Sequence, residues 1–277
     1  MAIPLLHTVV SWLLKKRVHD IELFIKYPNE VQREELTNLL LTAKNTEVGN
    51  HYGFADIKHY EDFANRVPVR TYEEIAPMIE RSRKGEQNIF WPTPIKWFAK
   101  SSGTTNAKSK FIPISNESLE DCHFKGGKDM LSLYFANNEH STLFQGKALR
   151  LGGSKALYEE NNTYFGDLSA IMIDNLPIWA ELVSSPSQKV SLMAEWESKM
   201  EAIVKETLRQ DIRSMAGVPS WMLVLLQKVL AETGRESILE VWPNMEVYFH
   251  GGVNFLPYKD QYKTLLPSES MHYVELY

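Results

Sequence analysis

Apolar side chains recur at helical spacing in the first third of the chain and again near residue 200. Two polar pairs, Asn29 with Gln32 and Thr71 with Glu74, have the spacing of a capping box and predict helix starts at Asn29 and Thr71. The apolar face after the first start consists of Val31, Leu36, Leu39, Leu40 and Ala43. The later stripe predicts one amphipathic helix of several turns and consists of Leu192, Trp196, Met200, Ile203, Val204, Leu208 and Ile212.

Three short runs have the character of strands: KALRLGG, EVYFHGG and MHYVELY. The first two end at a Gly pair, which is a typical strand stop. Strands that alternate with long helices predict an α/β fold in which helices cover the sheets.

Composition narrows the classes of function. The 277 residues are 44% hydrophobic and 23% charged, as in an ordinary globular protein. The formal net charge of −5 gives no general attraction to nucleic acid or to an anionic membrane. Cys122 is the single cysteine, which rules out an intrachain disulfide and a cysteine-based zinc site and favours the reducing cytoplasm.

The N-terminal apolar run is interpreted as a docking helix. His7 and Ser11 interrupt it, and its positive charges follow the run instead of preceding it as they do in a signal peptide. The run is also too short to span a bilayer. We therefore predict no stable membrane insertion, with peripheral membrane contact as the alternative.

A loop rich in hydroxyl groups, KSSGTTNAKSKFIP, begins at Lys100. Ser101, Ser102, Thr104 and Thr105 offer hydroxyl and amide donors, and Gly103 allows a ligand to come close. The lysines that would offset the charge of a polyphosphate are Lys100, Lys108 and Lys110. The Walker pattern is absent, so the loop is not that of a P-loop kinase or GTPase. On residue types alone, a solvated turn is the alternative.

The order of residues in this loop resembles the phosphate loop of the acyl-adenylate-forming, luciferase-like superfamily. The variant that starts at Ser101 resembles the Gretchen Hagen 3 family, the auxin-responsive acyl acid-amido synthetases of plants and their bacterial relatives. The similarity continues through YFGDLSAIMIDNLPIWA, MAGVPSWMLVLL and WPNMEVYFHGGVNFLPY. One departure is Ala107, which stands where the family usually has a glycine and would make the loop stiffer.

This resemblance implies a division of roles for ATP. The loop residues Ser101, Ser102, Gly103, Thr104 and Thr105 would bind the β- and γ-phosphates. Lys110 would offset the phosphate charge and is the candidate catalytic residue. The adenine side would be lined by Gly251, Gly252 and Val253, where glycines let the backbone approach the flat base; a plain tight turn is the alternative for the Gly pair.

The resemblance also implies an acid pocket at the start of a helix. GVPSWM predicts that start, with Pro219 in the first turn, where its missing N–H is not needed. Val218, Ser220 and Trp221 are then candidates for contact with the carboxylic acid substrate. Among the other polar side chains, Cys122 and His123 are interpreted as structural, and His250 is interpreted as structural rather than as a base. Asp167 lies in a predicted turn, with orientation of a substrate as the alternative.

Tyr277 matches the first position of a family loop, Tyr-x-x-x-Glu, that touches adenine, ribose and metal. Because the chain ends there, inside an apolar strand, we expect a truncated chain that lacks the C-terminal cap. It would form the N-terminal part of the large adenylate-forming domain, with a mostly helical lead-in over 1–95 and the loop, acyl-pocket helices and adenine-side strands over 96–277. Such a chain is expected to be catalytically silent and prone to self-association.

The implied reaction uses ATP and Mg²⁺ to activate a carboxylic acid as an acyl-adenylate, which an amine, such as an amino acid, converts to an amide. Two alternatives stay open. An acyl-CoA ligase of the phenylacetate-CoA ligase type would use the same loop but pass the acyl group to coenzyme A. A catalytically silent scaffold would only bind acyl acids or protein partners.

Overall fold

The computed structural model describes residues 4–101, 109–153, 158–160 and 162–276. The chain forms two compact units. The first unit contains Leu13–Asn137 and Ala156–Leu168, and the second contains Met1–Trp12, Asn138–Lys155 and Ser169–Tyr277.

Helices dominate the first part of the chain. They are α1 (Pro4–Lys26), α2 (Pro28–Ala43), α3 (Glu47–Tyr52), α4 (Tyr60–Arg66), α5 (Tyr72–Arg83) and α6 (Lys125–Asn137), with a 3₁₀ turn at Phe54–Asp56 and a π-helical segment at Ser118–Phe124. Among the described helices, none is long and apolar enough to cross a membrane.

One of the two predicted capping boxes is confirmed. Thr71 caps α5, where its backbone amide donates to Glu74 Oε2 at 2.6 Å and its hydroxyl accepts from the Glu74 amide. The predicted start at Asn29 is wrong, because α2 already begins at Pro28. Proline has a fixed φ and no N–H, so it suits the first turn and moves the helix start ahead of Asn29.

The described strands are β1 (Trp97–Lys100), β2 (Phe111–Ile114), β3 (Lys147–Leu151), β4 (Tyr158–Glu160), β5 (Thr163–Gly166), β6 (Ser184–Ser185), β7 (Ile212–Gly217), β8 (Val247–Gly251) and β9 (His272–Leu276). The first unit holds a four-stranded sheet of order β2-β1-β5-β4, which the sequence patterns did not predict. Pro113 pairs with Phe98 on edge strand β2, a position where a missing N–H is tolerated. Phe98 and Phe165 pack beneath the sheet with Ile79 and Ile95.

The second unit holds a five-stranded parallel sheet of order β6-β3-β7-β8-β9. Its helices are α7 (Leu168–Asp174), α8 (Ile178–Val183), α9 (Gln188–Ser191), α10 (Trp196–Thr207), α11 (Pro219–Thr233), α12 (Ile238–Val241) and α13 (Lys259–Leu265). Strands and helices both contribute to the hydrophobic core, which includes Leu149, Met215, Leu226 and Tyr248. The three predicted strands and the α/β fold class are confirmed. A single domain over the whole chain stays a prediction.

The long amphipathic stripe is not one helix. Met200, Ile203 and Val204 are buried on α10, but that helix ends at Thr207 and Ile212 already begins β7. Ile212 is buried like the helical residues and pairs with Lys147 of β3. The prediction failed because the buried first residue of the next strand falls in register with the helical pattern.

Candidate functional site

The base of the hydroxyl-rich loop is closed by Ser101 and Lys110. These residues directly follow β1 and precede β2 of the antiparallel hairpin. The amide of Ser101 donates to the carbonyl oxygen of Lys110 at 2.9 Å, and the amide of Lys110 donates to Ser101 Oγ at 3.2 Å. Both ends of the loop are thus fixed to one another. The candidates Ser102, Gly103, Thr104 and Thr105 lie outside the described residues.

The Lys110 side chain rests on the first turn of α5. Its Nζ lies 3.4 Å from Glu73 Oε1 and 5.0 Å from the centroid of the Tyr72 ring. The Tyr72 hydroxyl in turn accepts from the Phe111 amide at 2.8 Å. A hydrogen bond from its own backbone amide, and next the contact with Lys110, lower the pKa of Glu73. The ion pair is exposed and therefore weak, so an arriving anion can replace Glu73 as the partner of Lys110.

The Gly pair lies at the carboxyl edge of the parallel sheet, the edge at which α/β sheets bind ligands. A Cβ on Gly251 would lie 2.6 Å from the carbonyl oxygen of Leu276 on the neighbouring strand. Gly252 has φ +81°, and a Cβ there would lie 3.3 Å from Val218 Cγ2. Both glycines are thus required by the backbone of the second unit itself. Val253 is 41% exposed beside them, and a contact of these residues with adenine stays a prediction.

The acid-pocket candidates lie where β7 passes into α11. Pro219 occupies the first turn of α11 as predicted, and Val218 is its N-cap residue. Two buried tyrosines fix this turn: Tyr248 donates its hydroxyl to the Gly217 carbonyl at 3.0 Å, and Tyr262 donates to the Pro219 carbonyl at 2.8 Å. Burial raises the pKa of Tyr248 and of Tyr262, so both hydroxyls stay protonated and able to donate.

The other two candidates follow on α11. Ser220 is half-buried, and Trp221 is 39% exposed. The Trp221 ring meets Trp196 of α10 edge to face, with centroids 5.6 Å apart. The structure therefore brings Val218, Ser220 and Trp221 together at one helix start, beside Gly252. Tyr277 lies outside the described residues.

Sequence reasoning missed Lys199, which is fully buried on the first turn of α10. Its Nζ donates to the carbonyl oxygens of Gly152 at 2.8 Å and Gly153 at 3.0 Å. Burial lowers the pKa of Lys199 to about 8. A signal was present in the sequence, because a lysine one residue before Met200 and three after Trp196 falls on the apolar face of the helix.

His250 is buried and packed, but its Nδ1 has no hydrogen-bond partner among the described residues, so its interpretation as a satisfied structural histidine stays a prediction. It is 3% exposed, and its ring stacks on Phe255 with centroids 4.1 Å apart. Burial lowers the pKa of His250, and Glu275 on the neighbouring strand only partly opposes that shift. A neutral, packed imidazole follows. Within the described ranges there is also no group of three or more His, Cys, Asp or Glu placed to hold a metal ion.

Comparison with known proteins decides the family. The model described as the GH3 family N-terminal domain matches residues 17–271. The chain belongs to the GH3 family. The family resemblance predicted from the sequence is thereby confirmed over nearly the whole chain.

Curated relatives of this GH3 chain are amido synthetases. A jasmonoyl–L-amino acid synthetase of Nicotiana attenuata is 31% identical over 142 residues, which is 50% of this chain and 24% of the relative. An indole-3-acetic acid-amido synthetase of Arabidopsis thaliana is 32% identical over 106 residues, which is 38% of this chain and 19% of the relative.

Two solved structures share the fold. A GH3.15 acyl acid amido synthetase matches with a TM-score of 0.73 at 16% identity, over 91% of this chain and 54% of that one. The same kind of synthetase in complex with 2,4-DB matches with a TM-score of 0.74 at 15% identity, over 95% of this chain and 54% of that one. The chain therefore spans about half the length of the solved GH3 structures it matches.

Proposed function

We propose that this chain carries the phosphate-binding and acid-binding parts of a ligase that activates a carboxylic acid with ATP and transfers the acyl group to an amino acid. The observation that supports it most is the Ser/Thr/Gly loop closed by Ser101 and Lys110 in a chain of the GH3 family. The named activities of the relatives, jasmonoyl– and indole-3-acetic acid-amido synthetase, point to the same reaction.

In the first step, a carboxylate oxygen attacks the α-phosphorus of ATP. The bond from the α-phosphorus to the β-phosphate oxygen breaks, and pyrophosphate leaves with the bonding electron pair. In the second step, the amine nitrogen attacks the acyl carbon, the bond to AMP breaks, and the amine proton passes to solvent. The products are an amide, AMP and pyrophosphate.

Both reactants of the first step are anions, so charge neutralisation is the main demand on the protein. The loop hydroxyls and amides would donate to the phosphates, and Lys110 would exchange Glu73 for a phosphate oxygen. Bound Mg²⁺, arriving with ATP, supplies further charge neutralisation at the phosphates. No nucleophilic side chain is required, which agrees with the neutral, packed state of His250.

At the carboxyl edge of the five-stranded sheet, Gly251, Gly252 and Val253 would face the adenine. Val218, Ser220 and Trp221 would contact the acid, and the exposed face of Trp221 favours an aromatic or otherwise apolar acid. The amine acceptor would be an amino acid, as in the names of the relatives. The single cysteine and the need for ATP favour a cytoplasmic location, and the negative net charge argues against a nucleic-acid partner.

Exchange of labelled pyrophosphate into ATP tests this function. The product of the complete reading frame that contains this chain is assayed with a panel that includes indole-3-acetate, jasmonate, 2,4-DB and benzoate. We expect exchange only when an acid from the panel is present, and an amide product when amino acids are added. Exchange without acid, no exchange with any acid, or a thioester to coenzyme A as the sole product would contradict the proposal.

A further inference from the structure

Lys199 has a role that packing alone does not explain. Its ammonium is fully buried, and its described hydrogen bonds go to the carbonyl oxygens of Gly152 and Gly153 rather than to a carboxylate. Burying an ammonium is unfavourable, and an uncharged side chain of similar length would fill the same space without that cost. What the ammonium adds is a fixed position for two consecutive carbonyl groups.

Gly152 and Gly153 directly follow β3, and these two residues form the segment after β3. Leu151, the last residue of β3, pairs with Gly217, the last residue of β7. The two strands end so close together that a Cβ on Gly217 would lie 2.8 Å from the Leu151 carbonyl oxygen. Gly152 therefore lies beside the turn that leads into Val218 and α11.

The segment after β3 is also held from its other side. The Gly153 amide donates to Ser169 Oγ at 3.0 Å, next to the start of α7. A Cβ on Gly152 would lie 2.8 Å from Ile173 Cδ1 of the same helix. Lys199 and Ser169 thus anchor one short segment independently, one through its carbonyls and the other through an amide.

The helix turn that carries Lys199 also reaches α11. Trp196 precedes Lys199 by three residues, so both side chains lie on one face of α10. Trp196 meets Trp221 of α11 edge to face. The first turn of α10 therefore contacts both the segment after β3 and the start of α11.

We propose that Lys199 is a positioning residue that fixes the segment after β3 against the start of α11 and so sets the width of the pocket for the carboxylic acid. This inference rests on the proposed function, which assigns Val218, Ser220 and Trp221 to the acid. Lys199 does not touch the acid. It holds the Gly152 and Gly153 carbonyls, and loss of that hold lets the wall of the pocket move.

The test separates acid binding from ATP binding. Pyrophosphate exchange is measured in the complete reading-frame product for Lys199→Met, for Ser169→Ala and for the control Lys205→Met, which alters an exposed lysine of the same helix. We expect Lys199→Met and Ser169→Ala to raise the KM for the acid about tenfold while the KM for ATP and kcat change less than about twofold. The control should match the wild type.

A second readout is selectivity between large and small acids. A looser wall should reduce the ratio of kcat/KM for indole-3-acetate to that for benzoate in both variants. Lys199→Arg, which keeps a buried donor, should recover part of that ratio. If Lys199→Met does not fold, Ser169→Ala decides, since it anchors the same segment by a different bond.

Unchanged KM for the acid in Ser169→Ala and in folded Lys199→Met would overturn the inference, as would equal rises in KM for acid and ATP. Failure of the proposed function looks different, because the wild type itself would then show no acid-dependent exchange. That result would contradict both the proposed function and the role of Lys199 in acid binding.

Discussion

Ser101 and Lys110 bond to each other twice, amide to carbonyl at 2.9 Å and amide to hydroxyl at 3.2 Å. The hydroxyl-rich loop thus begins and ends at one point, beside the α5 turn that holds the Lys110 ammonium through Glu73. The base of the loop thus lies beside a cation whose present partner is exposed. This arrangement motivates the first prediction.

Lys110→Ala is expected to lower acid-dependent pyrophosphate exchange about 100-fold, because the proposed function assigns this charge to the phosphates. Lys96→Ala, which removes an exposed lysine just before β1, is the matched control and should keep full activity. Equal activity of the two variants would remove Lys110 from the phosphate role.

Gly251→Ala is expected to destabilise the second unit by about 2 kcal/mol, because the new Cβ would press on the backbone of Leu276. Gly234→Ala is the control: it also has positive φ, at +64°, but its Cβ would meet open space. Its cost should be about 1 kcal/mol, from backbone strain alone. Urea unfolding measures both. A Gly251 variant as stable as the wild type would show that the strands have room there.

Tyr262→Phe tests the anchoring of the turn around Val218. Loss of the hydroxyl removes one hydrogen bond to the Pro219 carbonyl, which keeps its intrahelical partner, at a cost of about 0.5 to 1.5 kcal/mol in unfolding free energy. The KM for the acid should rise as well. Tyr60→Phe, on an exposed side chain, should change neither quantity. An acid KM that is unaffected by Tyr262→Phe would separate this turn from the acid pocket.

The stability of the wild type relative to Lys199→Met should rise with pH between about 8 and 10.5. Burial lowers the pKa of folded Lys199 to about 8, while the unfolded chain keeps the ordinary value of 10.5. In that window the unfolded state binds more protons than the folded state, so raising the pH favours folding. The difference should grow by at most about 1.4 kcal/mol per pH unit.

Urea midpoints at pH 7.5, 8.5 and 9.5 measure this difference, and the comparison with Lys199→Met cancels the titration of all other groups. Parallel pH profiles of wild type and variant would contradict a lowered pKa of Lys199. A difference that shrinks with pH would indicate an acidic partner that stabilises the ammonium.

Local signals in the sequence were sufficient for several elements. The Gly pair that follows β3 and the Gly pair at the end of β8 marked real strand ends, and Pro219 marked the start of α11, because each depends on backbone chemistry within a few residues. The start of α2 was placed wrongly because Pro28 is a stronger signal than the Asn29–Gln32 pair.

The contacts around Lys199 and around the start of α11 could not be predicted, because spacing in the sequence does not encode them. Lys199 lies 46 and 47 positions from the glycines it bonds, and Tyr262 lies 43 positions from Pro219. The four-stranded sheet was missed for a similar reason, since its strands are short and β1 pairs in parallel with β5. Such pairings are fixed by tertiary packing and are not visible in a local pattern.

The formation of an acyl-adenylate is the central claim, and transfer of oxygen-18 tests it most directly. The complete reading-frame product is given ATP, an amino acid and the active acid labelled with oxygen-18 in both carboxylate oxygens, and the AMP is analysed by mass spectrometry. Attack of the carboxylate on the α-phosphorus predicts one labelled oxygen in each AMP and one in each amide. AMP without label, formed together with amide, would contradict an acyl-adenylate and the function proposed for this chain.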